Sequence, residues 1–256
     1  MKRKTVIVTG GSNGMGKAMA KRFADEGAYV TISGRDQEKL EKAKKEIETF
    51  EGQILTVAMD VRDPEKVQMM VTKTMEAFGS IDVLINNAAG NFLVPAEDLS
   101  VNGWNSVIDI VLNGTWYCTQ TVAKEWMKEK KSGSIINIVA TYAWTAGPGV
   151  VHSASAKAGV LAMTRSLAVE WGSKYKIRVN AIAPGPIEDT GGVDKLIINE
   201  NAYEKLVTSI PAKRFGKVEE VAALAAFLSS EEAGYINGEC VTMDGAQWLA
   251  GASYKF

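Results

Sequence analysis

Seven short runs rich in β-branched and apolar residues recur along the 256-residue chain, at 5–10, 29–34, 54–60, 81–90, 133–140, 177–185 and 238–245. Helix-like segments separate most of them. Residues 14–27 carry Met15, Met19, Phe23 and Ala24 at helical spacing, and further helices are expected over about 36–50, 64–78, 101–130, 153–172 and 218–230. Strands that are apolar on both faces need cover on both sides, and a parallel sheet with crossover helices supplies it. The alternation predicts an α/β fold, a single doubly wound Rossmann-type domain over 1–256 with a seven-stranded parallel sheet flanked by helices. No Pro/Ser-rich linker or internal repeat divides it. Segment 186–216 mixes glycine, charge and isolated apolar residues after a strand's carboxyl end, where such sheets bind ligands. A substrate lid is expected there, with an ordinary surface excursion as the alternative.

Charge narrows the partners. The 29 Lys and Arg nearly balance the 30 Asp and Glu, and no basic stripe stands out, so nucleic acid is not an expected partner. The two cysteines, Cys118 and Cys240, show neither metal-ligand nor disulfide spacing. His152 is the only histidine, which excludes a site built from several; no metal is expected. No apolar run approaches a membrane span, and "MKRKTVIVTG" turns from charge into a strand without a cleavable apolar stretch. The expected compartment is the cytoplasm, with no membrane partner.

"VTGGSNGMGKAMA" (8–20) leaves the first strand and opens the first helix. Gly10, Gly14 and Gly16 permit tight turning and close ligand approach, and Ser12, Asn13 and Met15 complete the turn. A helix start offers free N–H donors and a positive dipole end to a pyrophosphate. The second strand ends in "SGRD". An acid at that end would favour NAD; Ser33 and Gly34 stand there instead, followed by Arg35, whose guanidinium suits a 2′-phosphate. NADP(H) is the expected cofactor. Asp36, one residue on, is expected to cap the next helix. Asp60 can accept from the adenine amino group with Val61 against the ring, or else cap the following turn. "NNAAG" (86–90) ends the fourth strand with small residues; Asn87, Ala88 and Gly90 allow close cofactor approach, and Asn86 or Asn87 can pin backbone.

The stretches "TGGSNGMG" (9–16), "NNAAG" (86–90), "LNG" (112–114), "SASAK" (153–157) and "NAIAPGPI" (180–187), in this order and across the whole chain, resemble the short-chain dehydrogenase/reductase family. The resemblance implies a nicotinamide cofactor, a homotetramer and a serine–tyrosine–lysine set with a helper asparagine. By position the asparagine is Asn113 and the lysine Lys157. Ser153 occupies the usual tyrosine position and Ala140 the usual serine position. The NADPH-dependent 2,4-dienoyl-CoA reductase branch departs in this way, with a tyrosine eleven residues before that serine; here it is Tyr142, in "VATYAWTAGPGVVHSASAKAGV". A bacterial member is the closer likeness.

The branch resemblance implies a fatty acyl-CoA thioester as substrate. Tyr142 and Asn113 would donate to the thioester oxygen as charge develops there. Tyr142, or water it positions, would protonate Cα of the dienolate and give a trans-3-enoyl-CoA. Lys157 would hold the nicotinamide ribose, and Ser153 would steady Lys157 or the cofactor. The alternative for Ser153 is a helix-start cap, and for Asn113 a kink in its helix. Pro184, Gly185 and Ile187 shape the turn beside the nicotinamide. Phe92 and Trp144 are candidates for an acyl groove, and Lys213 and Arg214 for the CoA phosphates. His152 faces the thioester or simply solvent. Two other readings stay open, a reductase of 3-oxoacyl thioesters or another carbonyl, and a non-catalytic NADP-binding protein.

Overall fold

The strand β1 (Thr5–Thr9) is buried along its whole length, as a strand covered on both faces must be. In the computed structural model, which describes residues 3–48, 53–191 and 200–252, it pairs in parallel with β2 (Tyr29–Gly34) and β4 (Val83–Asn86). β3 (Ile54–Ala58) extends the sheet beyond β2; β5 (Gly133–Ile138), β6 (Ile177–Pro184) and β7 (Cys240–Met243) extend it beyond β4. All pairings are parallel and the order is β3-β2-β1-β4-β5-β6-β7. The chain order reverses between β1 and β4, which opens a crevice at the strands' carboxyl ends. This is the expected doubly wound sheet.

The helices are α1 (Gly14–Asp25), α2 (Gln37–Ile47), α3 (Pro64–Phe78), α4 (Val101–Ile108), α5 (Gly114–Glu129), α6 (Val151–Tyr175), α7 (Glu200–Ser209) and α8 (Val218–Leu228). The strand period of two assigns side chains to faces. Val6 and Val8 pack with Met19 and Phe23 of α1 and Val221 and Ala225 of α8. Ile7, between them, packs on the other face with Met70 of α3, Trp126 of α5 and Trp171 of α6. Asp36 caps α2 by accepting from the Lys39 N–H, as expected, and Asp63 caps α3 ahead of Pro64.

A polar ladder crosses the buried middle. Asn86 of β4 donates to Thr119 of α5 and to Asn137 Oδ1 of β5, each at 2.9 Å. Asn137 in turn donates to Thr164 Oγ1 of α6 at 2.9 Å. The Thr164 hydroxyl donates to the Val160 carbonyl at 2.8 Å.

Three boundaries differ from the sequence reading. The helix expected over 101–130 is broken by a π-helical turn, Asp109–Asn113, between α4 and α5. One extra residue in the turn lets Asn113 Nδ2 donate to Asp109 Oδ1 at 2.8 Å. α6 starts at Val151, ahead of the expected 153, so Ser153 lies inside the first turn and does not cap it. Within 186–216, residues 192–199 lie outside the described residues, so the lid is described only at its flanks. α7 occupies one flank, and Ile187 forms a parallel bridge with Gly216. Among the described residues no helix is long and apolar enough to cross a membrane.

Candidate active site

The glycine-rich turn is held from below by the loop after β4. Asn87 Nδ2 donates to the carbonyls of Thr9 and Gly10, both at 3.1 Å, and the Asn87 and Ala88 N–H groups donate to Thr9 Oγ1. Gly10 has φ of 65°, which favours glycine. A Cβ on Gly16 would sit 2.2 Å from the Gly10 carbonyl oxygen, so only glycine lets α1 start this close to the turn. Asn13 gives α1 no side-chain cap. A Cβ on Gly14 would find nothing nearer than Thr190 at 3.7 Å. An uncapped helix start with free N–H donors fits a pyrophosphate.

At the other end of that ligand, β2 finishes without an acid, and Arg35 is exposed. Ser12 Oγ lies 3.8 Å from where a Gly34 Cβ would be, so the turn and the β2 end adjoin. Asp60 is more committed than expected. Its carboxylate takes a fork from Arg62, with Nη2 at 2.6 Å and Nε at 3.0 Å, plus the Arg62 N–H at 3.0 Å. The Arg62 guanidinium holds this carboxyl below its ordinary range. The turn-forming role is therefore present in the structure; any adenine contact must use the remaining lone pairs. Val61 is buried, and its Cγ2 lies 2.6 Å from where a Cβ on Gly114 would be. It thus packs on the start of α5. Gly90 lies against Ile110 of the π turn.

The catalytic end is built on α6 and the loop after β5. A 3₁₀ turn, Thr141–Ala143, carries Tyr142 back over α6, and its hydroxyl lies 3.2 Å from Ser153 Oγ. Lys157, one helical turn further on the same face, is buried and donates to the Ile138 carbonyl at 2.5 Å. Burial pushes the Lys157 ammonium down to about 8. Burial also raises the Tyr142 hydroxyl, with Ser153 partly offsetting it, so Tyr142 is protonated at neutral pH. Asn113 is engaged within its own helical segment. It donates to Asp109, and among the described residues it has no hydrogen bond to Tyr142, Ser153 or Lys157.

On the nicotinamide side, Pro184 ends β6. A Cβ on Gly185 would sit 2.6 Å from Asp244 Cβ, so this glycine is required by the close approach of the β7 end. Pro186 and Glu188 make the backbone bonds to Gly216, which turns the Ile187 N–H to the other side.

His152 does not face solvent. It is fully buried under Phe92, with ring centroids 4.5 Å apart, and the Phe92 backbone is the polar group beside its ring. Burial lowers its pKa. Lys213 and Arg214 are engaged within the protein. Lys213 donates to the Thr208 carbonyl, and Arg214 forks onto Glu220 at 2.6 and 2.8 Å. Sequence reasoning missed Arg62 and Asp109. The signals were present, an Asp-x-Arg turn at 60–62 and a carboxylate four residues before Asn113.

Comparisons with known proteins bear on the family and the fold. A family model described as enoyl-(acyl carrier protein) reductase matches residues 10–246. A Bacillus subtilis protein named "Probable 2,4-dienoyl-CoA reductase", (2E)-enoyl-CoA-producing, is 60% identical over 97% of this chain and 98% of its own. A Danio rerio "Peroxisomal 2,4-dienoyl-CoA reductase", (3E)-enoyl-CoA-producing, is 39% identical over 98% of this chain and 83% of its own. A crystal structure of a short chain dehydrogenase from Bacillus anthracis matches with a TM-score of 0.90 and 62% identity, over 98% of each chain.

Proposed function

The chain belongs to the short-chain dehydrogenase/reductase family, and from that premise we propose that it reduces 2,4-dienoyl-CoA to trans-3-enoyl-CoA with NADPH, in unsaturated fatty-acid β-oxidation. The observation that carries the reading is the 3.2 Å contact of Tyr142 with Ser153, on the helix face that also holds Lys157. It supplies a hydroxyl where the usual family serine and tyrosine positions hold Ala140 and Ser153.

A bound reduced nicotinamide supplies hydride to Cδ of the dienoyl thioester. The Cγ–Cδ π electrons move along the chain, and charge develops on the thioester oxygen. Tyr142 donates a hydrogen bond to that oxygen, which is where the largest stabilisation is available. Lys157 adds positive charge to the same end of the site and binds the nicotinamide ribose. Ser153 orients the Tyr142 hydroxyl. Asn113, held by Asp109, shapes the π turn behind the site, and a direct bond to the thioester oxygen would use its second N–H. The proton goes to Cα, because a donor aimed at the carbonyl oxygen lies nearer Cα than Cγ. Transfer to Cα leaves the Cβ=Cγ double bond of a 3-enoyl thioester; transfer to Cγ would leave the 2-enoyl isomer.

NADPH is preferred over NADH, because Arg35 stands at the β2 end and Asp36 is committed to capping α2. A cytoplasmic setting fits two thiols that are unpaired. A homotetramer fits the outward apolar residues Val169 of α6 and Phe227 of α8. Residues 186–216 act as the substrate lid.

The test runs NADPH oxidation on purified protein with trans-2,trans-4-dienoyl-CoA and a 3-oxoacyl-CoA side by side. Oxidation with the dienoyl thioester is expected. Turnover of the ketone alone would replace the reading with a carbonyl reductase, and tight NADPH binding without turnover of either would favour a non-catalytic role. Chromatography of the product then separates the 3-enoyl from the 2-enoyl thioester. A 2-enoyl product would mean the proton reaches Cγ.

A further inference from the structure

Two indoles stand beside the Tyr142 turn and stay partly in water, Trp144 at 36% exposure and Trp248 at 42%. Their rings meet edge to face with centroids 5.8 Å apart. Trp144 follows directly on the 3₁₀ turn that carries Tyr142. Trp248 belongs to a second 3₁₀ turn, Gln247–Ala252, which Asp244 fastens down. The Trp248 N–H donates to Asp244 Oδ2 at 2.8 Å and the Ala246 N–H to Oδ1 at 2.9 Å. Asp244 is itself the residue packed against Gly185. The indole pair is therefore tied on one side to Tyr142 and on the other to the turn after β6.

A large aromatic side chain left in water forgoes much of its available burial. Exposed apolar surface continuous with a reaction site marks where an apolar ligand sits. More such surface lies close by. Leu249, beside Trp248 in sequence, is 62% exposed, and Leu93, which packs over Gly149, is 53% exposed. The cation–ring contacts found among the described residues fall on Tyr29 and Tyr175, not on these indoles. The pair thus presents an uncharged wall, suited to hydrocarbon and not to phosphates.

We propose that Trp144 and Trp248 together form the wall that receives the acyl tail beyond the conjugated diene, and so set the chain-length preference. This rests on the dienoyl-CoA reading above. The edge-to-face contact makes the two residues one unit, so either substitution should undo most of what the pair does. They are specificity-determining residues; the reacting atoms are left to Tyr142 and Lys157.

The experiment compares 2,4-decadienoyl-CoA with 2,4-hexadienoyl-CoA, which share the diene and the CoA moiety and differ by four methylenes. W144A, W248A and the double variant should each lower the decadienoyl/hexadienoyl ratio of kcat/KM by roughly tenfold, since every buried methylene adds to binding. The double variant should lose little more than either single one. W248F should restore most of the ratio. NADPH binding, followed by fluorescence, reports whether each variant is folded. An equal loss on both substrates would overturn the proposal and point to the CoA adenine or to general disruption. A change in assembly on sedimentation with an unchanged ratio would overturn it in favour of a second copy of the chain covering the indoles. If the wild type turns over neither thioester, the reaction reading fails alone. Saturable quenching of tryptophan fluorescence by decanoyl-CoA, absent with hexanoyl-CoA and lost in the double variant, would then still support the wall. Quenching unaltered by the substitutions would reject it.

Discussion

The cofactor end and the catalytic end of the crevice are built on opposite plans. Around the glycine-rich turn most polar groups have protein partners, with Ser33 Oγ at the β2 end an exception: Asn87 bonds two carbonyls, Thr9 receives two N–H groups, and Asp60 is filled by Arg62. Around α6, buried polar groups are left short of partners. His152 has only the Phe92 backbone beside it, and Lys157 has a carbonyl but no carboxylate. The first plan gives a stiff cradle that exists before ligand arrives. The second stores unfavourable desolvation at the place where charge will develop, and that is how pKa values are moved toward the working range.

The sharpest way to break this contrast is Y142F. It should lower kcat by about 100- to 1,000-fold, the loss typical of one oxyanion donor, while NADPH affinity by fluorescence titration stays within about twofold. Unchanged turnover would remove Tyr142 from the chemistry. R35A acts on the other plan. It should raise the KM for NADPH by roughly 10- to 100-fold, the scale of a charge-assisted hydrogen bond, with little change for NADH. Equal effects on both cofactors would mean that Arg35 does not read the 2′-phosphate.

N87A asks whether the cradle is stiff because of its bonds. Removing a side chain that satisfies two carbonyls should cost about 1–3 kcal/mol in urea unfolding and weaken both cofactors alike. Weakening of only one would place Asn87 in selectivity and not in support.

The smallest effect is a pH slope. Lys157 has a folded-state pKa pushed down to about 8, against roughly 10.4 in an unfolded chain. Below that window both states hold the proton, and the fold carries the full cost of a buried ammonium. Within it the unfolded chain alone holds the proton, so the stability contribution of this group rises with pH. The slope can reach about 1.4 kcal/mol per pH unit. Ligand-free wild type should gain stability over K157M between pH 8 and 10, and parallel curves would show that the ammonium is better solvated than its burial implies.

Much of this was legible in the chain because the signals were local. Strand alternation reports burial on both faces, and Tyr142 follows from the branch resemblance, which places a tyrosine eleven residues before Ser153. The misses share a different cause. Asn113 and Asp109 are four apart, which reads as an ordinary helix pair and carries no signal of the π turn that spans them. His152 is left open between thioester and solvent by the sequence because its cover, Phe92, comes from the loop after β4. Trp144 found its partner across the whole carboxyl-terminal third of the chain. Contacts of that range follow from how the sheet brings its strand ends together, and no window of sequence contains them.

The amide ladder through Asn86, Asn137 and Thr164 has a consequence for how such a site can change over time. Sliding α6 by one residue would break the Asn137–Thr164 bond and strand a buried amide N–H, at a cost of about 1–3 kcal/mol. The ladder therefore acts as a keyway that fixes the height of α6, and of Lys157 with it, above the sheet. With the cation indexed in this way, the proton donor is free to migrate. A tyrosine on the loop after β5, such as Tyr142, can then close on the same α6 face as Lys157.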